Sequence, residues 1–131
     1  MSEKYSVTIV RTSRQLTPKQ RIALKTGMGA ISLDQATSVE EVKIIPDWFA
    51  ELAIHNEHSE DKDYSTFIIV DKDGTAYATG SASFIESFEA IYDEMETANA
   101  DSSEPEEYAI VAFRQESKNY KGKSFITCRV E

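Results

Sequence analysis

The chain has 131 residues, a net charge of −9 and 40% hydrophobic residues, which suits one domain with its own core and excludes a wholly disordered chain. A single cysteine, Cys128, excludes an internal disulfide and fits a reducing compartment. No apolar run reaches the about 20 residues of a membrane-spanning helix, and the opening MSEKYSVTIV has no signal-peptide pattern, so a soluble cytoplasmic protein is expected.

Tyr5 to Arg11 alternates, with Tyr5, Val7 and Ile9 on one face, and predicts a strand. Thr17-Pro18 predicts a helix start, with Thr17 as N-cap and Pro18 at the first helical position. That helix would run through Arg21 and Leu24 to a stop at Gly27. Residues 30–45 fit neither period, and residues 1–45 read as an N-terminal extension. Trp48 to His55 predicts a strand with Trp48, Ala50, Leu52 and Ile54 on its core face. Thr66 to Val70 and Thr75 to Thr79 predict two strands joined by a turn at Asp71-Lys72-Asp73-Gly74.

The period then changes. Phe84, Ile85, Phe88, Ile91, Tyr92 and Met95 recur at helical spacing, and Ser83 with Glu86 makes a capping-box pattern, so a helix is predicted over Ser83 to Met95. Thr97 to Glu107 is acidic, small and broken by Pro105, and predicts a mobile loop. Two strands follow, Tyr108 to Arg114 and Lys123 to Val130. The order strand, strand, strand, helix, strand, strand is that of the OB-fold, a five-stranded, partly open Greek-key barrel. The expectation is therefore a mainly β, OB-fold-like single domain over residues 1–131, with one helix between strands 3 and 4. An α+β sandwich with the helix on one face of an antiparallel sheet has the same element order.

Enzymatic patterns are weak. GMGAIS lacks the Gly-Lys-Ser/Thr ending of a phosphate-binding loop, and no serine sits in a nucleophile elbow. Cys128 lies on the apolar face of a strand and reads as core. His55 and His58 have no further Cys or His nearby to complete a zinc site. In Asp71-x-Asp73-Gly74 the twelfth position of a calcium loop falls on Gly80, where a bidentate Glu is required. No catalytic residue, metal or cofactor is expected.

The charge is uneven. Residues 1–43 carry +3, residues 44–113 carry −15, and residues 114–131 carry +3. The last segment contains RQESKNYKGKSF, in which Arg114, Lys118, Lys121 and Lys123 alternate with Tyr120 and Phe125. Single-stranded nucleic acid needs cations along its backbone and flat side chains under its bases. Arg114, Lys118, Lys121, Lys123 and Arg129 supply the first, and Tyr120 and Phe125 the second. Asn119 to Gly122 forms the expected hairpin tip, and Arg11 and Arg14 are candidates for the same patch. A competing reading is an edge hairpin kept from aggregating by its lysines. Stacking and phosphate contacts serve RNA as well as DNA.

The runs DKDGTAYATGSASFIESFEAIYDEM and EYAIVAFRQESKNYKGKSFITCRV resemble the small single-stranded DNA-binding proteins of phages of lactic-acid bacteria. The parts that carry the resemblance are the Asp73-Gly74 turn, the Ser83-Phe84 and Ser87-Phe88 pairs, and the hairpin from Ser117 to Lys123. It implies an OB-fold without catalysis that binds single-stranded DNA in phage replication and recombination. It also implies self-association and cooperation with a phage or host recombinase. The alternative from a different class is a protein-interaction module or inhibitor working through the acidic middle segment.

Overall fold

The computed structural model describes residues 5–26, 29–58, 63–100, 102–103, 107–116 and 124–131. The fold is mainly β. The elements are β1 (Tyr5–Thr12), α1 (Pro18–Lys25), β2 (Ile31–Ser32), α2 (Leu33–Ala36), β3 (Val42–Ile44), β4 (Pro46–Asn56), β5 (Asp63–Asp71), β6 (Ala76–Thr79), α3 (Ala82–Ala100), β7 (Ile110–Glu116) and β8 (Ser124–Val130). The strands form two sheets, one ordered β1-β4-β5-β6-β2 and the other β3-β7-β8. The chain divides into two compact units, each built from two separate stretches. The first is Met1–Ile31 with Asp47–Gly80, and the second is Ser32–Pro46 with Ser81–Glu131.

In the first unit the alternation of β4 sorts its faces as the sequence predicts. Trp48, Ala50, Leu52 and Ile54 are buried in one apolar cluster with Leu16, Leu24, Ile68, Val70 and Ala76. The opposite face holds a second apolar contact that alternation does not reveal. Phe49 is buried there and stacks on Phe67 with ring centroids 5.1 Å apart. β1 is no loose extension: it pairs antiparallel with β4 from Tyr5↔Asn56 to Thr12↔Ala50. Its register shifts between Ile9 and Arg11, and Val10, the extra residue, is exposed.

α1 starts as read. Thr17 N–H donates to Gln20 Oε1 (2.9 Å) and Gln20 N–H to Thr17 Oγ1 (3.2 Å), a reciprocal cap ahead of Pro18. The helix ends at Lys25, and the expected stop at Gly27 lies outside the described residues. β5 and β6 are joined by the Asp-Gly turn, where Gly74 takes a φ of 93°. Asp73 Oδ1 accepts from Thr75 N–H at 2.8 Å, which holds the Asp73 carboxyl below its usual range.

In the second unit β7 pairs with β8 along its whole length and with β3 from Val42↔Ala112 to Ile44↔Ile110. Among the described residues no barrel closes, because β7 takes its second partner from the segment 30–45 that showed no period. Leu33, Ile44, Phe84, Phe88 and Ile110 are fully buried. α3 is longer than expected and runs through Ala100, taking the first four residues of the segment read as a loop. Its cap also differs from the expected one. Ser81, not Ser83, accepts from Phe84 N–H (3.4 Å), and Ser83 Oγ instead donates to the Ile126 carbonyl of β8 at 2.8 Å. Ser87 Oγ and Thr127 Oγ1 share a hydrogen bond of 2.9 Å.

Candidate nucleic-acid interface

Strand pairing decides which candidate side chains can work together. Arg114 lies opposite Ile126, Gln115 opposite Phe125 and Glu116 opposite Ser124. Since side chains alternate along a strand and paired residues share a face, Arg114 and Ser124 stand on one face of β7–β8. Phe125 and Arg129 stand on the other. The sequence reading joined Arg114 and Phe125 in one patch; they meet only at the strand end, where both line an open recess of about 300 Å³ with Asp34, Ser81, Ser124 and Ile126. Phe125 is 37% exposed there, so its ring remains available to solvent.

The arginines differ in what neutralises them. Arg129 donates to Glu41 Oε2 at 3.2 Å and lies over the Phe113 ring, 4.9 Å from its centroid. In the first unit, Arg11 donates to Glu51 Oε1 at 3.3 Å and lies 5.5 Å from the Phe49 centroid. Arg14 donates to Asp47 Oδ2 at 3.4 Å. Arg114 is held by neutral groups: Nη2 donates to the Asp34 carbonyl (2.6 Å) and Nη1 to Ser124 Oγ (3.2 Å). Arg11, Arg14 and Arg129 therefore offer a phosphate less net positive potential than their formal charge implies, whereas the groups bonded to Arg114 are uncharged and the Asp34 carboxylate only lines the same recess. Lys118, Tyr120, Lys121 and Lys123, with the expected tip Asn119 to Gly122, lie outside the described residues.

The residues that orient Arg114 were not among the sequence candidates. Ser124 could have been found from its place two residues before Ile126. The carbonyl of Asp34 could not, because it belongs to a four-residue helix 80 positions away in the chain.

Cys128, Tyr108 and His55 are shifted from their ordinary titration by their surroundings. Burial pushes the Cys128 thiol up to about 12, so almost none is thiolate near neutrality. Burial first, then Glu96 and Tyr92, pushes the Tyr108 phenol up to about 12. His55 lies between two carboxylates, with Nδ1 2.7 Å from Asp63 Oδ1 and Nε2 2.7 Å from Glu57 Oε1. These bonds, that to Asp63 foremost, raise its pKa above the ordinary value. Both ring nitrogens are thus occupied, and among the described residues no group of three or more His, Cys, Asp or Glu is arranged to hold a metal ion. No described helix is long and apolar enough to cross a membrane.

Comparison with protein-family models, curated proteins and solved structures finds no match for this chain.

Proposed function

We propose that the chain binds single-stranded nucleic acid, DNA in the first instance, through the β7–β8 hairpin and with little sequence preference. The observation that carries the reading is the state of Arg114, a guanidinium held by a carbonyl and a hydroxyl at the rim of an open recess. A half-exposed ring, Phe125, lies at the same strand end. Lys118, Lys121, Lys123 and Tyr120 extend the pattern along the sequence. Cations supply sequence-independent affinity, and stacking adds about 1–3 kcal/mol per base. The OB-fold belongs to the same proposal and rests on the order β4-β5-β6-α3-β7-β8. The resemblance to phage single-stranded DNA-binding proteins extends it to non-catalytic protection of DNA in replication and recombination in the host cytoplasm. Self-association and a recombinase partner come with that resemblance.

Titration of oligo-dT against the protein at several salt concentrations, with a duplex of the same length as competitor, tests the reading. Salt-dependent binding that favours the single strand is expected. No binding at low salt, or equal affinity for duplex, would overturn it.

One observation favours a second reading. α3 carries Glu86, Glu89, Asp93, Glu94 and Glu96 and no basic residue at all. An acidic helix of this kind could face a basic protein surface in place of nucleic acid. Protein capture that survives Lys→Ala changes in the hairpin, in a chain that binds no DNA, is the result that would select this reading.

A further inference from the structure

The two hydrogen bonds of Arg114 leave it with donors to spare. A guanidinium has five N–H groups. One on Nη2 goes to the Asp34 carbonyl and one on Nη1 to Ser124 Oγ. Together these bonds fix the plane of the fork and leave Nε–H and one N–H on each amino nitrogen. Because Ser124 Oγ accepts from Arg114, its own O–H is left to donate. The two side chains share one face of the β7–β8 pair and line the same recess. At about 300 Å³, the recess is at the lower end of the roughly 300–1,000 Å³ typical of small-ligand clefts.

Planar N–H donors beside a hydroxyl donor match the charged oxygens of a phosphate, which accept. Among the described residues, one acid, Asp34, also lines the recess. Its carbonyl aims the guanidinium, while its exposed carboxylate opposes any anion that enters. Asp34 thus both builds the site and limits its affinity.

We propose that this recess is a phosphate subsite in which Arg114 and Ser124 hold a single phosphate group and the Asp34 carboxylate weakens its retention. It rests on the nucleic-acid reading in taking that group to be a backbone phosphodiester. A free phosphate ion has the same chemistry, and the experiment separates the two sources.

The full-length chain would be followed by NMR of the Arg114 Nε–H during addition of inorganic phosphate, and by titration with oligo-dT at several salt concentrations. Wild type should show a saturable Nε–H shift with phosphate. Arg114→Gln should weaken oligo-dT binding and lower the log–log salt slope by about 0.7, the share of one phosphate contact on a single strand. Arg114→Lys keeps the charge but not the fork and should not restore wild-type binding. Asp34→Asn keeps the carbonyl and removes the charge, so it should strengthen binding several-fold; it remains informative if loss of Arg114 disturbs the fold. Oligo-dT binding unchanged in both Arg114→Gln and Asp34→Asn would overturn the subsite and leave the nucleic-acid reading standing. A phosphate shift at Arg114 that grows in Asp34→Asn, with no oligo-dT binding, would support the subsite as a site for free phosphate and end the nucleic-acid reading. No response of Arg114 to either ligand would overturn the subsite.

Discussion

Ser83 Oγ donates to the main-chain carbonyl of Ile126 at 2.8 Å, so the first turn of α3 is tied to β8, 43 residues further along the chain. Ser81 Oγ reaches the same carbonyl only at 3.5 Å. Removing the Ser83 hydroxyl should cost about 0.5–1.5 kcal/mol, the net value of an ordinary hydrogen bond. The better helix propensity of alanine returns a few tenths of that. Ser83→Ala is therefore expected to lower the urea midpoint modestly with an unchanged slope. A variant as stable as wild type would show that the bond contributes nothing.

Phe88 is fully buried on α3, stacked on Phe84 at 6.2 Å and tilted against Tyr92 at 6.0 Å. Phe88→Ala should cost about 3–5 kcal/mol, a large part of the 5–15 kcal/mol of a typical domain. Glu86 lies on the same helix but is exposed, and Glu86→Ala should stay within about 0.5 kcal/mol of wild type. Thermal melts of the pair check this, and similar losses in both would contradict the packing described for α3.

The His55 bridge makes a signed prediction. Its folded pKa is raised above the ordinary imidazole value of 6.5 by Asp63 first and Glu57 second. The folded state therefore binds the proton more tightly than the unfolded one. The stabilisation is complete below the unfolded pKa and disappears as pH rises through the folded pKa. In wild type, stability should fall across that window above pH 6.5, and His55→Gln should flatten the fall. Denaturant midpoints measured across the neutral range read this, and a slope unchanged by the substitution would refute it.

The hairpin lysines carry a prediction that depends on sequence alone. If Lys118, Lys121 and Lys123 each neutralise a phosphate, changing all three to Ala should reduce the magnitude of the oligo-dT salt slope by about 2, at roughly 0.7 per contact. A triple variant with the wild-type slope would remove these lysines from the interface.

Much of the local architecture was legible. Trp48, Ala50, Leu52 and Ile54 could be assigned to the core face because strand side chains alternate regardless of context. Thr17-Pro18 marked a helix start, and the cap contacts the structure adds, to Gln20, span three residues. β3 was not legible. Three residues, Val42 to Ile44, show no period, and the partner that makes them a strand is β7, about 70 positions away. Both edges of β7 are occupied, one by β3 and one by β8, a pairing no local pattern announces. The cap of α3 was misplaced for a related reason. Ser81 and Ser83 are both competent caps in sequence, and the Ile126 carbonyl, supplied by the fold, draws Ser83 away.

By itself the sequence determined where the charge lies along the chain, which strands have an apolar face, where the Asp-Gly turn falls, and that aromatic and basic residues alternate near one end. Those properties depend on neighbours within a few positions. Only the tertiary structure decided which of these arginines are bonded to an acid and which to neutral groups. An ion pair forms within about 4 Å, and the acids facing Arg11, Arg14 and Arg129 arrive from 40, 33 and 88 positions away. The carbonyl that holds Arg114 arrives from 80. Pairing register, a property of two strands together, then set Arg114 beside Ser124 and put Phe125 on the other face.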